Sequence, residues 1–159
     1  MILTCLSHLK PGGYIEIQEL EYWAYCDDSS MTDNTPYAWR DFLTYLEQGM
    51  RAMGSELHAI HGIADQLSEA GFEDVQRVVH KCPLGIWPRD KRLRLCGLFL
   101  RTAIMDGLRG FAQRPLASGL GWTPVQIEIF LMEVRKSVMD SKFHTYYPFH
   151  VVYGRKPLS

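Results

Sequence analysis

The stretch Leu9-Lys10-Pro11-Gly12-Gly13-Tyr14-Ile15-Glu16-Ile17-Gln18-Glu19 constrains this chain more than any other. Ile2, Leu3, Leu6 and Leu9 fall at helical spacing, and Pro11-Gly12-Gly13 stops that helix. Beyond the turn, Ile15 and Ile17 alternate with Glu16 and Gln18, which predicts a strand from Tyr14 to Tyr22. Helix, tight turn and half-buried strand in immediate succession point to an α/β layer packing.

The remainder extends that pattern. Cys26 to Asn34 reads as a polar loop. Thr35-Pro36 reads as a helix start, followed by the apolar face Trp39, Phe42, Leu43, Leu46, Met50 and Met53. A second helix carries Leu57, Ile60, Ala64 and Leu67 and is capped at Gly71. A strand is predicted from Asp74 to Lys81, closed by Pro83. Leu93, Cys96, Leu100, Ile104 and Leu108 form the stripe of a helix from Asp90, and a Gly/Pro-rich loop is expected from Gly110 to Gly121. Thr123-Pro124-Val125-Gln126 is a capping-box start for a helix bearing Ile127, Phe130, Leu131, Val134 and Val138. A last strand, Tyr146 to Tyr153, is expected to be broken at Pro148. The order α-β-α-α-β-α-α-β gives an α/β fold of about three strands, read as a single domain over residues 1–159.

Composition limits the function classes. A 47% hydrophobic content is that of a chain with a packed core, and a net charge of -1 offers no electrostatic reason to bind nucleic acid or an anionic membrane. The cluster Arg89, Lys91, Arg92 and Arg94 is interrupted by Asp90 and reads as a solvated helix face. Cys5, Cys26, Cys82 and Cys96 form no C-x-x-C pair, so reduced thiols are expected, with neither a zinc site nor a disulfide framework. The apolar N-terminus is too short for a signal peptide or membrane span, and a cytoplasmic location is expected.

Several segments together resemble the fungal LaeA-like class I methyltransferases that use S-adenosylmethionine (SAM). They are Leu9 to Glu19, Asp27-Asp28, Ala70-Gly71-Phe72-Glu73-Asp74-Val75, Pro83-Leu84-Gly85-Ile86-Trp87-Pro88-Arg89-Asp90, Gly119-Leu120-Gly121-Trp122, and His144-Thr145-Tyr146-Tyr147-Pro148-Phe149 with Val152 to Pro157. The resemblance reaches the C-terminal, substrate-side half of that family's Rossmann-like fold. The upstream glycine loop, whose amides approach the cofactor, and the acidic residue that binds the ribose have no counterpart in this sequence. The resemblance therefore implies a truncated methyltransferase fold with no cofactor held in the family's manner. In the family a further strand flanks the one matching Tyr14 to Tyr22. Its edge is thus expected to be covered by a second copy of the chain, as a homodimer, or by a rearranged helix.

Candidate site residues follow from the carboxyl end of the first strand, where open α/β sheets place ligands. Glu19, Tyr22 and either His58 or His61 are candidates to supply catalytic hydrogen bonds, with Glu19 able to serve as a base. Trp23, Trp39, Phe42, Trp87 and Trp122 are candidate walls of an apolar substrate cavity. His58 and His61 lack the H-E-x-x-H context or cysteine partners of a metal site, and no metal is expected. Nothing marks covalent catalysis. The first functional reading is a cofactor-independent cyclase or isomerase of pericyclic (Diels–Alder) type acting on an apolar small molecule in fungal secondary metabolism. Two others stay open: a fragment or subunit of a SAM-dependent methyltransferase, and a non-catalytic module that binds a protein through the strand edge.

Overall fold

The computed structural model describes residues 2–32 and 34–158. Its helices are α1 (Ile2–His8), α2 (Ala38–Ala52), α3 (Ile63–Glu69), α4 (Lys91–Arg114) and α5 (Pro124–Met139). Its strands are β1 (Tyr14–Leu20), β2 (Tyr25–Cys26), β3 (Glu73–Pro83) and β4 (Thr145–Arg155). The mixed α/β class expected from the sequence is the one observed. The open sheet is organised on β4, which pairs antiparallel with β1 and β2 and also pairs with β3. Among the described residues, no helix is long and apolar enough to cross a membrane.

Two compact units divide the chain. The first comprises residues 1–21, 58–80 and 148–159. Within it, β1 pairs with the end of β4 so that Ile15 stands opposite Gly154 and Ile17 opposite Val152. These residues share one face, onto which Ile60, Leu67 and Phe72 pack together with Ile2, Leu6 and Leu9 of the N-terminal segment. Fully burying side chains of this size contributes about 1.5–3 kcal/mol each. The Pro-Gly-Gly turn forms as expected, with Gly12 at φ +76. The predicted helix from Leu57 to Gly71 is instead a 3-10 turn (Ala59–Gly62) leading into α3, and Gly71 follows that helix at φ +98.

The second unit comprises residues 22–57 and 81–147. Its core lies between α2, α4 and α5, where Phe42, Leu108, Ala112, Leu116, Ile127, Leu131 and Val134 are almost wholly inaccessible. Asp90 caps α4, accepting hydrogen bonds from the Arg92 and Leu93 amides. Thr123 and Gln126 form the expected capping box of α5. Three sequence expectations are corrected here. Thr35-Pro36 does not start α2; the helix begins at Ala38, with extended Tyr37 before it and no side-chain cap. The loop expected from Gly110 is helix as far as Arg114, followed by one π-helical turn over Pro115–Gly119. Tyr25–Cys26 forms a short strand that the sequence pattern did not indicate.

A further correction concerns the last strand. Pro148 does not break β4, yet burial changes parity there: Thr145 and Tyr147 are buried before it, then His150, Val152 and Gly154 after it. The Pro148 carbonyl accepts the Glu21 amide at 2.9 Å. Proline has no N–H to donate, but its acceptor still serves the sheet.

Candidate functional site

In the second unit, the start of β4, the end of β3 and the segment before α4 border a recess of about 410 Å³. Trp87, Pro83, Pro88 and Leu93 supply its apolar lining, and Asp27, Asp28, Lys81, His144 and Tyr146 its polar side. The Trp87 ring is fixed at both ends. Its Nε1–H donates to the Thr145 carbonyl at 3.1 Å, and its face stacks on His144 with centroids 5.0 Å apart and planes at 29°. Stacked aromatic rings at this separation present a rigid wall to a flat ligand.

Hydrogen bonds order the polar side. The Tyr146 hydroxyl donates to Asp27 Oδ1 at 2.7 Å, while Lys81 Nζ pairs with Asp27 Oδ2 and lies 4.6 Å from the centre of the Tyr146 ring. Those two donors, Lys81 first, hold the Asp27 carboxyl below its usual range. Asp28 is held well below that range by hydrogen bonds from Ser30 and then from His144. Burial, then Asp27, pushes the Tyr146 phenol up, so its proton stays on oxygen. His144 Nδ1 lies 2.7 Å from Asp28 Oδ2. An ionised carboxylate only accepts, so Nδ1 carries a proton, and in the neutral imidazole Nε2 is then the acceptor. Among the described residues, no hydrogen bond reaches Nε2.

A second polar cluster lies in the first unit. Glu21 and His150 are both buried, and His150 Nε2 is 3.1 Å from Glu21 Oε2. Arg77 donates to His150 Nδ1 through Nη2 at 2.9 Å and Nε at 3.2 Å. The same Nη2 is 3.3 Å from His61 Nδ1, and His61 Nε2 lies 3.6 Å from Glu21 Oε1. Two imidazoles thus bridge one guanidinium and one carboxylate.

The sequence-derived candidates fall into several places. Glu19 is exposed on β1. His58 precedes the 3-10 turn, and His61 sits within that turn in the Glu21 cluster. Tyr22 and Trp23 meet edge to face at 5.9 Å, and burial followed by a hydrogen bond with Glu47 raises the Tyr22 phenol. Trp39 and Phe42 stack on each other at 5.1 Å and are 3% and 1% exposed. Core packing accounts for both. Trp122 packs edge to face on Tyr45 and Phe130. Of the nine, only Trp87 lines the recess.

His144, Asp28 and Tyr146 are the residues that sequence reasoning placed in matching segments without assigning a site. Their signal was modest: an Asp-Asp pair in a loop and a histidine and tyrosine flanking a strand start. Glu21 and His150 carried a faint one. Glu21 continues the parity of Ile15 and Ile17, and His150 that of Val152, so each puts a polar group on an apolar face.

The fit to SAM can be judged at Gly12-Gly13, the glycine pair beside β1. The Gly12 amide donates to the Lys156 carbonyl at 3.0 Å and the Gly13 amide to that of Lys10 at 2.9 Å. A Cβ at Gly12 would stand 3.0 Å from the Leu158 side chain. Both amides are engaged by the chain itself, so this turn does not fit a nucleoside cofactor. Among the described residues, no group of three or more His, Cys, Asp or Glu side chains is placed to hold a metal ion.

Comparison with known proteins gives the class that the Leu9–Glu19 turn and strand implied: over nearly its full length this chain is similar to fungal methyltransferases. It is 28% identical over 161 residues to methyltransferase pytC of Aspergillus terreus, covering 99% of this chain and 48% of that protein. It is 30% identical over 152 residues to the probable methyltransferase tdiE of Emericella nidulans, covering 95% and 47%. With the secondary metabolism regulator laeA of Monascus pilosus it shares 27% identity over 154 residues, covering 96% and 41%. The chain spans about half the length of the curated relatives it matches. No family model matches it.

Proposed function

We propose that this chain is the substrate-side portion of a methyltransferase of fungal secondary metabolism, and that the Trp87–His144 recess holds the molecule to be methylated. One observation carries this reading: similarity to fungal methyltransferases runs across 95–99% of this chain but under half of pytC and tdiE. The engagement of the Gly12 amide by Lys156 and of the Gly13 amide by Lys10 supports it, since the chain then contributes something other than the glycine loop. The recess contributes shape and hydrogen bonds. Its volume lies within the range of small-molecule pockets, and its mixture of apolar wall and few polar groups is typical of them.

Calorimetric titration of SAM into the 159-residue chain tests the reading. The expected result is no heat of binding at micromolar SAM. Micromolar affinity together with methyl transfer by the chain alone would overturn it, making the chain a self-sufficient methyltransferase.

The cofactor-independent cyclase is the second reading, favoured by the same recess. Apolar walls that restrict a flexible conjugated chain, with a donor or acceptor to polarise it, are what such a reaction requires. Turnover of a linear polyene by the chain without SAM would put this reading first.

A further inference from the structure

Taking the recess as the substrate site, we propose that it accepts a planar conjugated molecule bearing an ionisable hydroxyl group, and that His144 Nε2 receives the hydroxyl proton. The flat preference comes from Trp87, whose indole is pinned by the Thr145 carbonyl and by the His144 ring. Pro83, Pro88 and Leu93 extend the apolar wall beside it. A rigid wall of this kind gains most from a ligand with a face of matching shape.

The hydroxyl preference comes from the proton inventory. Asp28 accepts the Ser30 amide at 2.8 Å and the His144 Nδ1–H at 2.7 Å, which fixes both the imidazole tautomer and its orientation. His144 lines the recess, and in its neutral form Nε2 is the ring's acceptor. The other polar groups are committed elsewhere. Tyr146 donates its proton to Asp27, Asp27 also pairs with Lys81, and Asp90 caps α4. Arg89 adds a positive charge to the lining. When a phenol or enol enters, its O–H bond breaks and an N–H bond forms at Nε2. The product is an oxyanion beside an imidazolium that Asp28 stabilises, and no further reactant is needed. A substrate hydroxyl so ionised is a better nucleophile for any group transfer that follows.

The test uses 7-hydroxycoumarin, whose neutral and ionised forms absorb differently, with 7-methoxycoumarin as the control that has no proton to give. Near neutral pH the hydroxy compound is expected to bind at least about tenfold more tightly and to show the phenolate spectrum when bound. H144F keeps a ring against Trp87 but removes the acceptor, so both the preference and the phenolate band should disappear. D28N, which keeps a side chain of the same shape, should weaken both. Equal affinity for the two coumarins, or a phenolate band that survives in H144F, overturns the proposal. Should H144F fail to fold, an unchanged band in D28N overturns it equally. No methyl donor is present in this test, so SAM binding and methyl transfer by the chain alone would overturn the reading of the chain as the substrate-side portion and leave the coumarin result standing on its own.

Discussion

His150 Nε2 lies 3.1 Å from Glu21 Oε2, with both residues almost wholly buried, and the residues are 129 positions apart in the chain. Arg77 completes the arrangement from β3 by donating to His150 Nδ1. A guanidinium only donates and a carboxylate only accepts, so the imidazole passes hydrogen bonding from one to the other. Removing the carboxylate strands a buried donor. E21A is therefore expected to destabilise the protein by about 3 kcal/mol, and E21L/H150L by less than the sum of its single changes. Urea unfolding midpoints of the wild type, E21L, H150L and the double variant check the second point. Additive single changes would mean that the two side chains do not interact.

Two glycines of α4 should respond oppositely to alanine. A Cβ at Gly97 would stand 2.0 Å from the Gly85 carbonyl oxygen, a backbone atom that itself belongs to the turn bonded to Gly97. Something must move, and G97A is expected to cost at least about 2 kcal/mol. Gly110 is exposed in the same helix, and a Cβ there would meet nothing within 4 Å. G110A is expected to stabilise by about 0.5–1 kcal/mol, because alanine loses less backbone freedom on folding. Thermal melts of both variants decide the matter.

Alkaline pH should unfold the second unit through its tyrosines. Burial pushes Tyr37 up to about 12 and Tyr147 well above its ordinary value. A phenol whose folded value is raised contributes stability that is complete below about pH 10, the unfolded value, and is lost as pH rises towards the folded one. Stability should thus be level to about pH 10 and fall beyond it. Y147F removes one such group and the acceptor of the Trp39 Nε1–H bond, at 2.7 Å. It should be less stable by about 1–2 kcal/mol at neutral pH yet lose less between neutral and alkaline conditions. A parallel decline in the two proteins would contradict this.

Association through β1 is a further expected outcome. Among the described strands β1 pairs with β4 alone, which leaves its other edge a row of backbone donors and acceptors. Sedimentation velocity should show association as concentration rises into the micromolar range. A strictly monomeric chain whose β1 amides exchange slowly would contradict it.

Much of the local structure was legible because it is decided locally. Asp90 and Thr123 cap helices by bonding to amides two or three residues away, and the Gly13 amide closes its turn on the Lys10 carbonyl three residues back. Gly110 and Gly119 misled for a reason that lies elsewhere in the chain. Leu108 and Ala112 are fully buried, so packing outweighs the roughly 1 kcal/mol that a helical glycine costs. At Gly119 a Cβ would stand 2.4 Å from the Gly49 carbonyl oxygen, and at Gly49 one would stand 2.4 Å from that of Pro115. These glycines allow α2 to touch the π turn; they do not mark a loop. The site was harder still. Asp28 and His144 are 116 positions apart, and nothing in the spacing of either announces the other. Trp39 and Trp87 look alike as tryptophans in apolar segments, and only the fold sends one to the core and the other to a recess.

Whether this chain holds a substrate and not the methyl donor is tested by amide chemical-shift mapping of the labelled 159-residue protein. With 7-hydroxycoumarin, shifts should concentrate at Asp28, Trp87, His144 and Tyr146, while SAM at the same concentration should leave the spectrum unchanged, Gly12 and Gly13 included. Saturable shifts at Gly12-Gly13 with SAM, and none in the recess with the coumarin, would contradict the account.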